Sequence, residues 1–328
     1  MAFRIAVAAA GGFTLGYLLG WDFPFLPSLI AVQLISAGPT LDLRRAIGFV
    51  VLMAIGCGLS LFISLAFADK PLTLIVVVGL LIFLEFLAVA RGKAAAGIFL
   101  MTTAFVPLMA VSSIDLAYAL VHDLVVGSIL ALLLVFFVHA VFPAGDGPQQ
   151  DTKREAREET TLAIALANAG VVMSLFVYFM GAGTPTSIIV IMVTAITILQ
   201  QPGIASRGAA FGLVIGNVAG GLAATVAYLM VSLLPSPAFL FLVVLLFGLV
   251  FGARIAEGTK MGPIYTVGAA TFLVVLGLGL SPLPEDSGTI FFSRVTTVIA
   301  ASLYTIGMAS VLRWLLVERS LRAIKRST

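Results

Sequence analysis

Twelve times this chain runs apolar for about the length a helix needs to cross a bilayer, near residues 3–20, 24–39, 44–67, 72–90, 94–112, 117–142, 160–180, 185–200, 207–233, 237–253, 260–279 and 289–316. Roughly 20 apolar residues in a helix span a hydrocarbon core of about 30 Å. Lipid offers no hydrogen bonds, so a backbone entering it must pair its own N–H and C=O groups, and a single run does so as a helix. The sequence therefore predicts an all-α, polytopic membrane protein of about 12 transmembrane helices. Only 10% of the 328 residues are charged and 61% are hydrophobic. Soluble domains carry about 25% charged residues, so that class is excluded.

The spans fall into two sets of six that repeat each other. Pro39, Arg44, Gly58 and Arg91 recur as Pro202, Arg207, Gly221 and Arg254, each pair 163 residues apart (202 − 39 = 163). At that offset IGFVVLMAIGCGLSLF lies opposite AFGLVIGNVAGGLAAT, alike in apolar character and in the placement of small residues. The expected organisation is a first six-helix repeat over 1–142, a charged linker over 143–159, a second six-helix repeat over 160–316 and a basic tail over 317–328. An even number of crossings gives both copies one orientation, so they are parallel repeats about an axis along the membrane normal.

Lysine and arginine in short loops set orientation. One alternating set of loops, together with the two ends, holds Arg4, Arg44, Arg45, Arg91, Lys93, Lys153, Arg154, Arg157, Arg207, Arg254, Lys260 and the residues from Arg313 to Arg326, which makes 16 of the 18. The opposite loops hold Lys70, and Arg294 falls inside the last span. Both termini and the linker are therefore expected in the cytosol. The basic residues flank apolar spans and form no patch with interleaved aromatics, so nucleic acid is not an expected partner; the lipid bilayer is. No zinc-protease, nucleophile-elbow or P-loop motif is present, and no enzyme is expected. Two histidines and the lone Cys57 make no credible metal site, and no cofactor is implied.

Candidate transport residues come from two patterns. Short or broken spans at matching positions in two halves point to a substrate site. Spans 2 and 8 fit, with Pro24, Pro27 and Pro185 near their outer starts and Gln33, Thr194 and Thr197 as polar groups for substrate binding. The alternative is that these prolines only mark helix ends. Gly56 and Gly58 in span 3, and Gly212, Gly216, Gly220 and Gly221 in span 9, have the spacing of close helix packing.

Ionisable groups inside spans are costly, which makes them functional candidates. Glu85 lies in span 4, Asp123 in span 6 beside His122, and Arg294 in span 12. Aligning spans 6 and 12 sets Asp123 opposite Arg294. Two readings stay open: a structural ion pair, or an Arg294 that anchors an anionic substrate while Asp123 or His122 exchanges protons. For Glu85 the choice lies between a neutralising pair with Arg44, Arg45 or Arg91 and a proton relay. Trp21, Phe23 and Trp314 stand where aromatic side chains anchor helices at the membrane surface. His139 reads as a boundary residue.

The turn GPTLDLRRAIGF with Pro39 and Arg44, its copy QPGIASRGAAFG with Pro202 and Arg207, and Arg294 opening the last span together resemble the fusaric acid resistance (FUSC) family. That family includes aromatic carboxylic acid efflux pumps, with plant malate channels as distant relatives. Its larger members carry soluble cytosolic regions after each half, where this chain has a short linker and tail. The resemblance is thus to the compact branch, whose members accompany a periplasmic membrane-fusion (HlyD-like) adaptor. It implies a bacterial inner-membrane protein, a homo-oligomer, and a small organic anion as substrate. The expectation is a secondary exporter of amphipathic organic anions driven by the proton gradient. The alternatives are a passive anion channel and a membrane scaffold with no transport of its own.

Overall fold

The computed structural model describes residues 1–37, 42–93, 96–143, 158–182, 191–192, 194–197, 207–259, 261–281, 290–313 and 315. Pro39, Pro202 and Trp314 lie outside the described residues, as do the side chains of Arg207 and Arg294. Among the described residues there are helices and no strands. In the first half they are α1 (Ala2–Leu18), α2 (Leu26–Ala37), α3 (Leu43–Ala66), α4 (Pro71–Ala90), α5 (Ala96–Ser112) and α6 (Ile114–Val141). In the second they are α7 (Glu158–Ala182), α8 (191–192 and 194–197), α9 (Arg207–Leu233), α10 (Pro237–Ala256), α11 (Gly262–Leu280) and α12 (Ile290–Arg313). Among the described residues seven helices are long and apolar enough to cross a membrane. The protein is a polytopic membrane protein.

Two faces show what that solvent does to a helix surface. Leu72, Val76, Leu80 and Leu84 line one side of α4, and Ile47, Val51, Ile55 and Leu59 one side of α3, all exposed at four-residue spacing. Such stripes would be buried in a soluble bundle and here face lipid.

The chain forms two compact units, and neither is one half of the sequence. One comprises Met1–Val51, Tyr118–Gln150 and Ser206–Ile299; the other comprises Leu52–Ala117, Asp151–Ala205 and Ala300–Thr328. The first unit thus holds α1, α2 and most of α6 from the first half with α9, α10 and α11 from the second. The second holds most of α3, with α4 and α5, from the first half and α7, α8 and most of α12 from the second. Each unit thus takes helices one, two and six from one half of the sequence and three, four and five from the other.

Within the first unit α1 packs along α10, α9 along α11, and α2 against α1 and α11. Helix directions follow from the glycines. A Cβ on Gly252 would meet Ala2, and one on Gly248 would meet Ala6, so α1 and α10 run antiparallel. Gly212 meets Ile264 and Gly220 meets Gly268, so α9 and α11 run parallel. That alternation is the one expected when each predicted span crosses once. Arg4, buried near the start of α1, donates from Nε to the carbonyl of Phe142 just past α6, which brings those two helix ends together. In the second unit α4 packs against α5 and α7.

The structure corrects the repeat register beyond the third helix. Pro71 and Pro237 open α4 and α10, and Gly92 and Gly258 follow their ends with φ of 83° and 61°. Those pairs are 166 residues apart (237 − 71 and 258 − 92). The reason is that α9 has 27 residues where α3 has 24. Arg91 and Arg254 are therefore not structural equivalents: Arg91 follows α4, whereas Arg254 lies in the last turn of α10 and pairs with Glu257 at 3.0 Å. Under the corrected register Glu85 corresponds to Phe251.

Candidate functional site

The two carboxylates within helices α4 and α6 lie in different units and have different surroundings. Asp123 is the tenth residue of α6, so at ~1.5 Å per residue it lies roughly 14 Å along that helix. Its Oδ2 accepts the backbone N–H of Phe23 at 2.9 Å, and its Oδ1 lies 2.9 Å from Nδ1 of His122. Phe23 belongs to the turn between α1 and α2. The turn thus lies beside the third turn of α6 and, through Asp22 and Ser281, beside the end of α11.

The turn is packed from several helices, and glycine provides the room. A Cβ on Gly16 of α1 would come within 2.6 Å of the Pro24 carbonyl, and one on Gly277 of α11 within 2.3 Å of the Phe25 ring. Gly127 of α6 faces Pro27 and Trp21. Ser281, capping α11, donates its hydroxyl to the Asp22 carbonyl. Trp21 meets the His122 ring edge-on. The structure revises the expected surface anchor at Phe23, which is fully buried against Phe25. A short apolar stretch with two prolines does not reveal its burial; that depends on which helices surround it.

Glu85 lies five residues before the end of α4, about 8 Å from it. Thr103 of α5 donates its hydroxyl to Glu85 Oε1 at 2.7 Å. Glu85 Oε2 is buried with no hydrogen-bond partner among the described residues. No ion pair with Arg44, Arg45 or Arg91 is formed among the described residues; all three arginines are exposed. The neutralising pair expected for Glu85 is thus not found there. In the other unit the equivalent position is Phe251, which lies over Gly268 of α11 and packs on Phe272. The same site between helices four and five holds aromatic carbon in one unit and a carboxylate in the other.

Thr103 was absent from the sequence-based candidates, yet a signal existed. Helix α4 ends at Ala90 and α5 starts at Ala96, so Glu85 and Thr103 lie five and seven residues from the facing helix ends. In an antiparallel helical hairpin, residues at similar distances from the turn face each other.

The remaining candidates are placed separately. Thr194 and Thr197 are buried in α8, where Thr305 of α12 donates to Thr194 at 3.0 Å. Ser174 of α7 and Tyr304 of α12 share a 2.6 Å hydrogen bond in the same unit. Gln33 is half-buried in α2, in the other unit. The backbone of Arg294 is helical in α12, in the unit that holds Asp123, and its side chain lies outside the described residues. His139 binds the Val135 carbonyl of its own helix, as a boundary residue would. Among the glycines, Gly56 sits against Thr102 and Gly216 and Gly220 against α11, whereas a Cβ on Gly58 would meet nothing. Among the described residues no cluster could hold a metal ion.

Residues 1–139 match the model of a protein family described as "Protein of unknown function (DUF2955)". No curated protein and no solved structure matches the chain. The match covers α1 to α5 and most of α6, and so touches both units.

Proposed function

We propose that this chain is a secondary exporter of amphipathic organic anions, coupled to the proton gradient. The observation that supports this best is Glu85. It is a carboxylate within a span, held by one hydroxyl, with its second oxygen buried and no cation at ion-pair distance among the described residues. Intramembrane carboxylates are rare and mark ion pathways and proton relays. A scaffold has no need of one, and the equivalent Phe251 shows that the fold is built without it.

The resemblance to the fusaric acid resistance family supplies the rest of the reading. It points to aromatic carboxylic acids as substrate, a bacterial inner membrane, a homo-oligomer, and a HlyD-like adaptor that carries substrate onward; the placement of lysine and arginine supports cytosolic termini. Arg294, with Gln33 of the same unit, is assigned to the anion.

The test is transport by purified protein in liposomes loaded with candidate aromatic acids. An imposed pH gradient is expected to drive substrate uphill. Flux that only dissipates a substrate gradient identifies a channel, and no flux with any acid, alongside intact assembly, identifies a scaffold. Arg294→Ala is expected to weaken binding of the acid while leaving the protein folded.

A further inference from the structure

We infer that Glu85 and Thr103, on the facing surfaces of α4 and α5, form the proton-exchange site of this transport cycle. The inference rests on the exporter reading and narrows its coupling residues to one pair.

A group that gains and loses a proton needs partners suited to both states. The ionised form accepts hydrogen bonds, and the protonated form also needs somewhere to donate one. The Thr103 hydroxyl serves both, since it donates to Glu85 as it stands and accepts after rotation. Pro107 lies inside α5 four residues after Thr103 and has no N–H, so the Thr103 carbonyl lacks its usual helical donor. Half-helix and freed carbonyls recur at coupling-ion sites in transporters for this reason. The second carboxylate oxygen is buried and unpartnered among the described residues, so it is the oxygen that can take a proton without breaking a hydrogen bond.

Asp123 is held differently. A backbone N–H only donates, and that of Phe23 fixes Oδ2 to the turn between α1 and α2, while Oδ1 lies 2.9 Å from Nδ1 of His122. A proton on Oδ2 would set two hydrogens against each other and release the turn. The geometry makes Asp123 a positioning residue for Phe23.

The charged and titratable neighbours of Glu85 are few. Helix α5 carries none, and the described side chains of α7 include one titratable group, Tyr178, which is exposed. On its own helix the next charge is Arg91, just past the helix end and exposed. Cys57 of α3 is buried and belongs to the same unit.

A lipophilic carbodiimide tests the site without any substrate. It adds to a protonated carboxyl buried in lipid: the acid proton moves to a carbodiimide nitrogen, the carboxylate oxygen bonds to the central carbon, and an oxygen-to-nitrogen shift leaves a stable N-acylurea. The full-length protein in liposomes would be treated across pH, with and without sodium, and mapped by peptide mass spectrometry. We expect an adduct on Glu85 that is lost as pH rises, is unchanged by sodium, and shifts its pH midpoint in Thr103→Val. An adduct on Asp123 in its place, no adduct on Glu85, or protection by sodium would each overturn the proposal. In transport, Glu85→Gln should lose pH-driven accumulation and keep exchange of labelled substrate across the membrane. Unchanged pH-driven export by Glu85→Gln overturns it equally. Failure of the unmutated protein to move any acid uphill would sink the exporter reading by itself, so the two failures are separable.

Discussion

Two carboxylates of similar chemistry are distinguished here by what surrounds each. Asp123 holds the backbone of Phe23, so removing its acceptor oxygens strands a buried N–H. A lost hydrogen bond to a charged group costs about 1.5–3 kcal/mol. Asp123→Ala is expected to lower the thermal midpoint of the purified protein in detergent by that order, and Asp123→Asn, which retains an acceptor oxygen, by clearly less. Equal losses would mean that the charge matters more than the bond. A second residue-scale prediction concerns Asn217, fully buried in α9, where Thr271 donates to Oδ1 and Nδ2 has no partner among the described residues. Thr271→Val leaves the amide without its donor as well, at a cost of about 1–3 kcal/mol. The double variant Asn217→Leu with Thr271→Val removes both polar groups and should be the milder of the two in the same melting assay.

At the scale of the helix, glycine decides which surfaces touch. A Cβ on Gly220 would lie 2.3 Å from the Gly268 carbonyl, and one on Gly277 as close to Phe25, so either alanine forces helices apart. Overpacking of this kind costs about 1–3 kcal/mol. Gly58→Ala meets nothing and gains helix propensity, about 0.8–1 kcal/mol. The contrast is measurable as melting shifts of opposite sign. Much of this scale was legible in the sequence. Helix existence and most ends followed from apolar length, because a bilayer imposes one dimension on every span. Gly212, Gly216 and Gly220 were readable as a packing stripe, and their partner helix was not. The packing of the Trp21–Phe25 turn was hidden, since proline marks a helix end without saying which helices surround it. Glu85 could be found because a charge in an apolar run stands out; Thr103 could not be singled out by composition, since hydroxyls are common in such helices.

At the scale of the molecule, the halves of the sequence and the units of the fold are different objects. Offset arithmetic finds the duplication but says nothing about which copy's helices pack together, because contacts such as α1 with α10 join residues more than 200 positions apart. This predicts the behaviour of a chain divided in the linker. Residues 1–150 and 151–328 produced separately should each be degraded or aggregate, whereas co-expressed they should copurify and regain the melting transition of the intact chain; a stable first half by itself would contradict the assignment of helices to units. The exchange of helices also bears on descent. A single six-helix ancestor could complete such a unit only by lending helices three, four and five to a second copy and receiving the same in return, so pairing would have come before gene fusion. With both copies encoded by one gene, every substitution would appear in both units at once. Fusion would end that constraint, and a carboxylate at position 85 could then arise without its counterpart at position 251.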